Sequence, residues 1–152
     1  MVLDKFAIRR IKFGFSNEIS MLRSFDEYFD VRKPSGKQER HWLSSIQKYT
    51  AGKKVDLGDL PVNFDGFTKF QKIVLKNCQK IPYGTTVSYG QLAVKSKSPR
   101  AARAVGSIMK INRVPLIIPC HRVVASSGIG GYSAGEGVTV KRELLKMEGV
   151  CF

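Results

Sequence analysis

The sequence predicts an α/β protein in two parts: a small N-terminal lobe of strands plus a helix over residues 1–60, and a mostly helical domain over residues 61–152 that carries a helix-turn-helix. Three observations predict it. Residues 6–22 alternate roughly as a strand does, whereas Phe67, Phe70, Val74, Cys78 and Ile81 recur at helical spacing. A stretch rich in turn formers, residues 58–66 with Pro61 inside it, separates the two patterns. Beyond it, two short helical stretches are joined only by Lys95-Ser96-Lys97. With 152 residues and 43% hydrophobic content, the chain can bury one good core and a small second lobe.

The elements follow in order. Gly14 and Ser16-Asn17-Glu18 are turn candidates within the strand-like segment. Residues 32–40 read as a polar loop, and a helix is expected over 41–50 because Trp42, Ile46 and Tyr49 share one face and Gly52 can stop it. His41 reads as a partly exposed residue at that helix start. The helix from Phe67 buries Cys78, and Pro82-Tyr83-Gly84 ends it in a turn. Ser88-Tyr89-Gly90-Gln91 is a capping box, in which the Ser88 hydroxyl takes the amide three residues on and Gln91 reaches back, so a short helix is expected over 89–94. Ser98 is an N-cap candidate with Pro99 in the first helical position, and Ala101, Ala102, Ala104 and Val105 carry that helix to about 110. Its long side chains are Arg100 and Arg103. A last helix over 139–148 stops at Gly149.

Charge narrows the partner. The net charge is +14, and no acidic residue occurs between Asp65 and Glu136, a segment holding eleven Lys or Arg. A surface that is merely solvated intersperses both signs, so one-signed charge over a helix-turn-helix points to nucleic acid. No run approaches eighteen apolar residues, no signal-peptide core follows Met1, and no basic amphipathic helix has an aromatic face. A soluble, intracellular protein is expected, without membrane contact. Cys78, Cys120 and Cys151 are odd in number and unpaired in spacing, which suggests neither a disulfide framework nor a zinc site.

The chemistry concentrates in Ile117-Ile118-Pro119-Cys120-His121-Arg122-Val123-Val124. The flanking apolar runs read as buried β structure, ended by Pro119 so that Cys120 sits on a turn. A thiol must become thiolate to attack, and both His121 and Arg122 are placed to favour that. From these residues alone, nucleophile and buried core cysteine both remain open. Asn112, in the turn Asn112-Arg113-Val114-Pro115, can bond backbone groups of the cysteine loop. The Gly-rich residues 125–137 surround Tyr132 and Ser133 but lack the Lys-Ser or Lys-Thr ending of a phosphate loop, so they suit close approach to a flat ligand better. Glu148 is oddly placed, because a carboxylate in a final helical turn faces the negative end of the dipole.

Together these residues resemble the O6-alkylguanine-DNA alkyltransferase family. The resemblance rests on Pro119-Cys120-His121-Arg122-Val123, preceded by Ser88-Tyr89-Gly90-Gln91-Leu92-Ala93 and Ala101-Ala102-Arg103-Ala104-Val105-Gly106, and followed by Gly131-Tyr132-Ser133 and Glu148-Gly149. It covers residues 67–150. It implies a winged-helix-like DNA-binding domain and a single-turnover repair protein that takes the alkyl group of O6-alkylguanine in double-stranded DNA onto its own cysteine, monomeric and without a cofactor. In that scheme Cys120 is the nucleophile, His121 its base through a water, and Glu148 orients His121. Tyr89 donates a proton to the leaving guanine, Asn112 holds the active-site turn, and Val123, Tyr132 and Ser133 form the base pocket. Arg103 enters the base stack, with Ser88, Arg100, Ala101 and Ala102 as further DNA contacts along the minor groove. Such a protein works in the cytoplasm at the nucleoid, or in the nucleus of a eukaryote.

Two departures accompany the resemblance. Residues 133–141 are longer than the family's usual loop, which leaves the pocket width open. The zinc ligands of some members have no counterpart here, so no metal is expected. Two other functions are weighed: a lesion-binding protein without catalysis, against which Cys120 argues, and a thiol hydrolase of small substrates, against which the acid-free segment argues.

Overall fold

The computed structural model describes residues 1–4, 7–11, 36–135 and 137–152. Of the strand-like segment expected over 6–22, residues 6 and 12–22 with the turns at Gly14 and at residues 16–18 lie outside the described residues, as do part of the polar loop (32–35) and Glu136. Strands begin earlier than the alternation suggests: β1 (Val2–Asp4) and β2 (Ala7–Arg10) pair antiparallel, with Leu3 opposite Ile8. Ile8 is fully buried, and its backbone bonds the separating stretch on both sides, from its N–H to Pro61 O at 2.8 Å and from Asn63 N–H to its carbonyl at 3.0 Å.

The first helix, α1, spans Lys37–Thr50, four residues more than expected. The expectation of a loop to residue 40 fails because Glu39 reaches back to the Gly36 N–H (3.3 Å) and starts the helix there, which leaves His41 an exposed residue of the helix interior. Trp42, Ile46 and Tyr49 form its buried face.

Next comes α2 (Lys69–Gln79), started by a capping box in which Thr68 Oγ1 accepts from Gln71 N–H at 3.3 Å and Gln71 Oε1 accepts from Thr68 N–H at 2.9 Å. Phe67 is therefore outside the helix, a correction to its place on the helical face. It is buried in its own right, under the Arg113 guanidinium at 4.5 Å from the ring. Val74, Leu75 and Cys78 point inward and are fully buried, each such apolar side chain contributing about 1.5–3 kcal/mol. One apolar cluster takes in Ile8, Trp42 and Tyr49 from the first part of the chain with Val74, Leu92, Val105 and Ile118 from the second.

The helix-turn-helix is α3 (Tyr89–Lys95) followed by α4 (Ala102–Lys110). Ser88 caps α3 as expected, with Oγ accepting from Gln91 N–H at 3.1 Å. The start of α4 differs from expectation: Ser98 is not its N-cap, because residues 98–101 close a turn of their own (Ala101 N–H to Ser98 O, 2.9 Å) and Ala101 takes the cap position without a side-chain bond. Val105, Ile108 and Met109 bury one face of α4, leaving Arg103, Ala104, Ser107 and Lys110 exposed on the other.

The apolar residues before the cysteine are buried but not a strand. Pro115 and Pro119 remove two amide donors, Leu116 adopts a left-handed φ of 75°, and Ile118 N–H closes a turn onto Val114 O at 2.9 Å. Cys120–Arg122 is a 3₁₀ turn, and β4 (Val123–Val124) then pairs in parallel with β3 (Val87–Ser88), which sets the cysteine turn beside the start of α3. The final helix, α5 (Val138–Met147), ends with both bonds of a Schellman motif: Gly149 N–H to Lys146 O at 3.0 Å and Val150 N–H to Leu145 O at 2.8 Å, with Gly149 at φ 81°. That ending fixes Glu148 as the C-cap.

Candidate active site

Cys120 is 5% exposed, at the bottom of a pocket of about 410 Å³. Its turn is held by Asn112: the amide donates to Ile118 O at 2.8 Å and to Cys120 Sγ at 3.2 Å, while Asn112 Oδ1 accepts from Val114 N–H at 3.0 Å. One side chain thus anchors the loop and supplies a donor to the sulfur. Burial pushes the thiol pKa up; the Asn112 amide, the neighbouring Tyr132 hydroxyl and the Lys141 ammonium oppose it in that order. The net direction is upward, so the resting group is a thiol that needs a base.

The imidazole next in the chain has a built support. His121 is fully buried, and its Nε2 lies 3.0 Å from Glu148 Oε1. Its other nitrogen, Nδ1, is a buried polar atom without a partner among the described residues. Because an ionised carboxylate only accepts, Nε2 carries the hydrogen and Nδ1 is left as the acceptor. Burial lowers the His121 pKa against the pull of Glu148, so the ring is neutral at neutral pH.

Glu148 is a hub rather than a surface carboxylate. Arg122 donates to it from Nη2 (2.7 Å) and Nε (2.9 Å to Oε2), Gly84 N–H adds a bond at 3.0 Å, and the Tyr49 hydroxyl donates to Oε1. Burial alone would push its pKa up, but the bonds from His121, Arg122 and Tyr49 outweigh burial and hold it well below the usual carboxylate range. The expectation that Arg122 favours the thiolate is corrected here, since its guanidinium is spent on Glu148 and on Ile81 O (2.6 Å).

The cation beside the sulfur is Lys141. Fully buried on α5, it donates to Val123 O at 2.7 Å and Gly131 O at 3.2 Å, and burial pushes its pKa down to about 8. Lys141→Met, which keeps the length and removes the charge, should raise the Cys120 pKa. The pH dependence of Cys120 alkylation by a small electrophile checks this, and an unmoved profile would remove the ammonium from the account.

The pocket brings together Tyr89, Arg103, Cys120, Tyr132 and Ser133, five of the residues singled out in the sequence. Tyr89 donates weakly to Gly131 O at 3.4 Å, and burial raises its pKa, so it remains a protonated donor. The Tyr132 hydroxyl stands close enough to act on the thiol yet completes no hydrogen bond of ordinary geometry. Arg103 and Arg100 are exposed, with Ala101 and Ala102 half-buried between them, whereas the Ser88 hydroxyl is engaged in its cap. Val123 is fully buried outside the pocket lining. Sequence reasoning missed Tyr49, Gly84 and Lys141; Tyr49 shares a helical face with Trp42 and Ile46 and reads as core, and nothing local marks a lysine for burial.

Fold and site define a class: a helix-turn-helix protein that holds a buried cysteine, backed by a histidine and a carboxylate, in a pocket beside its second helix. Residues 69–150 match the family model described as 6-O-methylguanine DNA methyltransferase, DNA binding domain. A methylated-DNA–protein-cysteine methyltransferase of Sulfurisphaera tokodaii is 45% identical over 105 residues, 69% of this chain and 64% of that protein. The mouse protein of the same name is 48% identical over 86 residues, 57% of this chain and 40% of its own length. Among solved structures, Mycobacterium tuberculosis OGT in complex with DNA superposes with a TM-score of 0.63 at 41% identity, covering 70% of this chain and 64% of that one. The O6-methylguanine-DNA methyltransferase of Pyrococcus kodakaraensis gives 0.64 at 30% identity, covering 86% and 72%. The chain belongs to the 6-O-methylguanine DNA methyltransferase family, as its motifs suggest, and it spans less than two thirds of the Sulfurisphaera and mouse relatives. Among the described residues no helix is long and apolar enough to cross a membrane.

Proposed function

We propose that this protein repairs DNA by direct reversal, transferring the alkyl group of O6-alkylguanine irreversibly to Cys120. The observation that carries the proposal is the thiol itself, buried at the floor of a pocket between α4 and residues 131–133, with the neutral His121 and its bare Nδ1 behind it. A base inside the duplex cannot align its O6–carbon bond with that sulfur, so the nucleotide is flipped out, at about a few kcal/mol. Cys120 gives its proton through a water to His121 Nδ1, and the imidazolium is balanced by Glu148. The sulfur attacks the alkyl carbon; the S–C bond forms as the C–O6 bond breaks, and the electron pair leaves on guanine. The Tyr89 phenol delivers a proton to N3 of that leaving base, with Tyr132 and Ser133 at O6. In the thioether that remains, the sulfur is too poor a leaving group for water or another nucleophile to displace it from the alkyl carbon, so each molecule acts once.

The basic surface around Arg100 and Arg103 supplies sequence-independent contacts, which suits lesions in any context and makes affinity salt-dependent. Such a protein works where the chromosome is, in the nucleoid or the nucleus. The test is intact and peptide mass after incubation with duplex DNA containing O6-methylguanine. One methyl per protein on the Cys120 peptide, absent in Cys120→Ala, is expected. Binding without mass gain would instead make this a lesion-binding protein, and no salt-sensitive binding at all would leave a thiol enzyme of small substrates.

A further inference from the structure

The first part of the chain reaches the reacting group at one point. Tyr49, the last buried residue of α1, is fully buried, and its ring stands edge-on to Tyr83 with centroids 6.1 Å apart. Packing accounts for the ring. It does not account for the hydroxyl, which donates to Glu148 Oε1 and also lies 3.2 Å from His121 Nε2. The three atoms form a closed triangle, since Nε2 and Oε1 are themselves 3.0 Å apart.

Only one arrangement of hydrogens satisfies that triangle. Glu148 accepts and never donates, so the tyrosine hydrogen points at Oε1 and the Nε2 hydrogen points into the gap between Oε1 and the tyrosine oxygen, whose lone pairs face it. The other tautomer would set a bare Nε2 against both a carboxylate and a phenol oxygen already committed elsewhere. It would also place the hydrogen on Nδ1, where the proton from Cys120 has to arrive.

We propose that Tyr49 is a positioning residue for alkyl transfer, its hydroxyl locking His121 in the Nε2–H tautomer so that Nδ1 is free to take the Cys120 proton. The inference rests on the alkyl-transfer reading above. It gives the first 60 residues a part in the chemistry that their sequence does not announce. Burial and Glu148 both push the Tyr49 pKa up, so the hydroxyl keeps its hydrogen throughout the working range. Arg122 competes for the same carboxylate oxygens, and without the phenol the carboxylate is free to turn toward the guanidinium and away from the imidazole.

Tyr49→Phe isolates the hydroxyl, because the ring and its contact with Tyr83 remain. At saturating O6-methylguanine duplex the rate of Cys120 methylation should fall about tenfold, while the half-saturating duplex concentration stays the same. A purely structural role would not move the second readout, the ¹⁵N shifts of His121: the unsubstituted protein should show a protonated Nε2 and a bare Nδ1, and Tyr49→Phe a mixture of tautomers. A wild-type rate with an unchanged tautomer in Tyr49→Phe would overturn the proposal, as would a loss confined to duplex affinity. Should the variant fold poorly, the unsubstituted protein still decides, because a hydrogen on His121 Nδ1 would refute the lock. Failure of the unsubstituted protein to gain a methyl would instead refute the alkyl-transfer reading, whatever the tautomer.

Discussion

Glu148→Ala should lower the unfolding free energy by about 3–5 kcal/mol, the usual effect of removing one partner from a buried ion pair. The reason lies in what is left behind. Arg122 is buried with its Nε and Nη2 aimed at an oxygen that no longer exists, His121 loses its only described support besides the Tyr49 hydroxyl, and the Gly84 amide loses its acceptor. The effect depends on pH with a definite sign. The Glu148 pKa is depressed in the fold, so its stabilisation is fully present above the ordinary value of 4.5 and is lost as pH falls through the folded value. Urea titrations at several pH values should therefore show the gap between wild type and Glu148→Ala widest near neutrality and closing in acid. A gap that stays constant with pH would mean that the residue acts by packing alone. Methyl transfer by the folded fraction of the variant should be slow as well, because an unsupported imidazole does not keep its tautomer and, once protonated, has no carboxylate to balance its charge.

Arg103→Ala should reduce methyl transfer from duplex DNA by roughly a hundredfold, the equivalent of the few kcal/mol that unstacking a nucleotide requires. Arg103 is exposed on α4 and stands at the rim of the pocket whose floor is Cys120. From there a guanidinium can occupy the place of the flipped base and keep the stack closed behind it. Alanine is too short to do so. The deficit should shrink when the lesion lies in a single strand or a bulge, where the base is already unstacked. Equal losses on duplex and single strand would assign Arg103 to phosphate attraction instead.

Much of this site is legible in the sequence because its signals are local. Ser88 with Gln91 and Glu148 before Gly149 are arrangements decided within a few residues, and these two helix ends form as read. Asn112 is close enough in sequence to Cys120 for its anchoring part to be anticipated. The misreadings have a common physical origin. Ile117 and Ile118 look like strand because burial and β structure favour the same residues, yet two prolines and the left-handed Leu116 deny the segment a ladder. Ser98-Pro99 looks like a helix start because the same residues also make a free-standing turn. Sequence proximity points Arg122 at the thiol, but its guanidinium meets Glu148 and Ile81 instead. Lys141 and Tyr49 escape for the opposite reason, since a polar atom is buried only where distant partners meet it, and those partners are Val123 and Gly131 for one and His121 and Glu148 for the other.

The link from Tyr49 to Glu148 spans 99 residues of chain, while the contacts between α3 and α4 are local. Long loops close late, because their entropy must be given up before distant contacts repay it. The two helices that would meet DNA are therefore able to form while Glu148 is still far from Tyr49. A partly folded form that held the helix-turn-helix alone would lack the contacts that support His121, since those need the whole chain closed around them. For a protein that reacts once and is then finished, as proposed above, that order of events would keep its single opportunity from being used before the fold that should direct it exists.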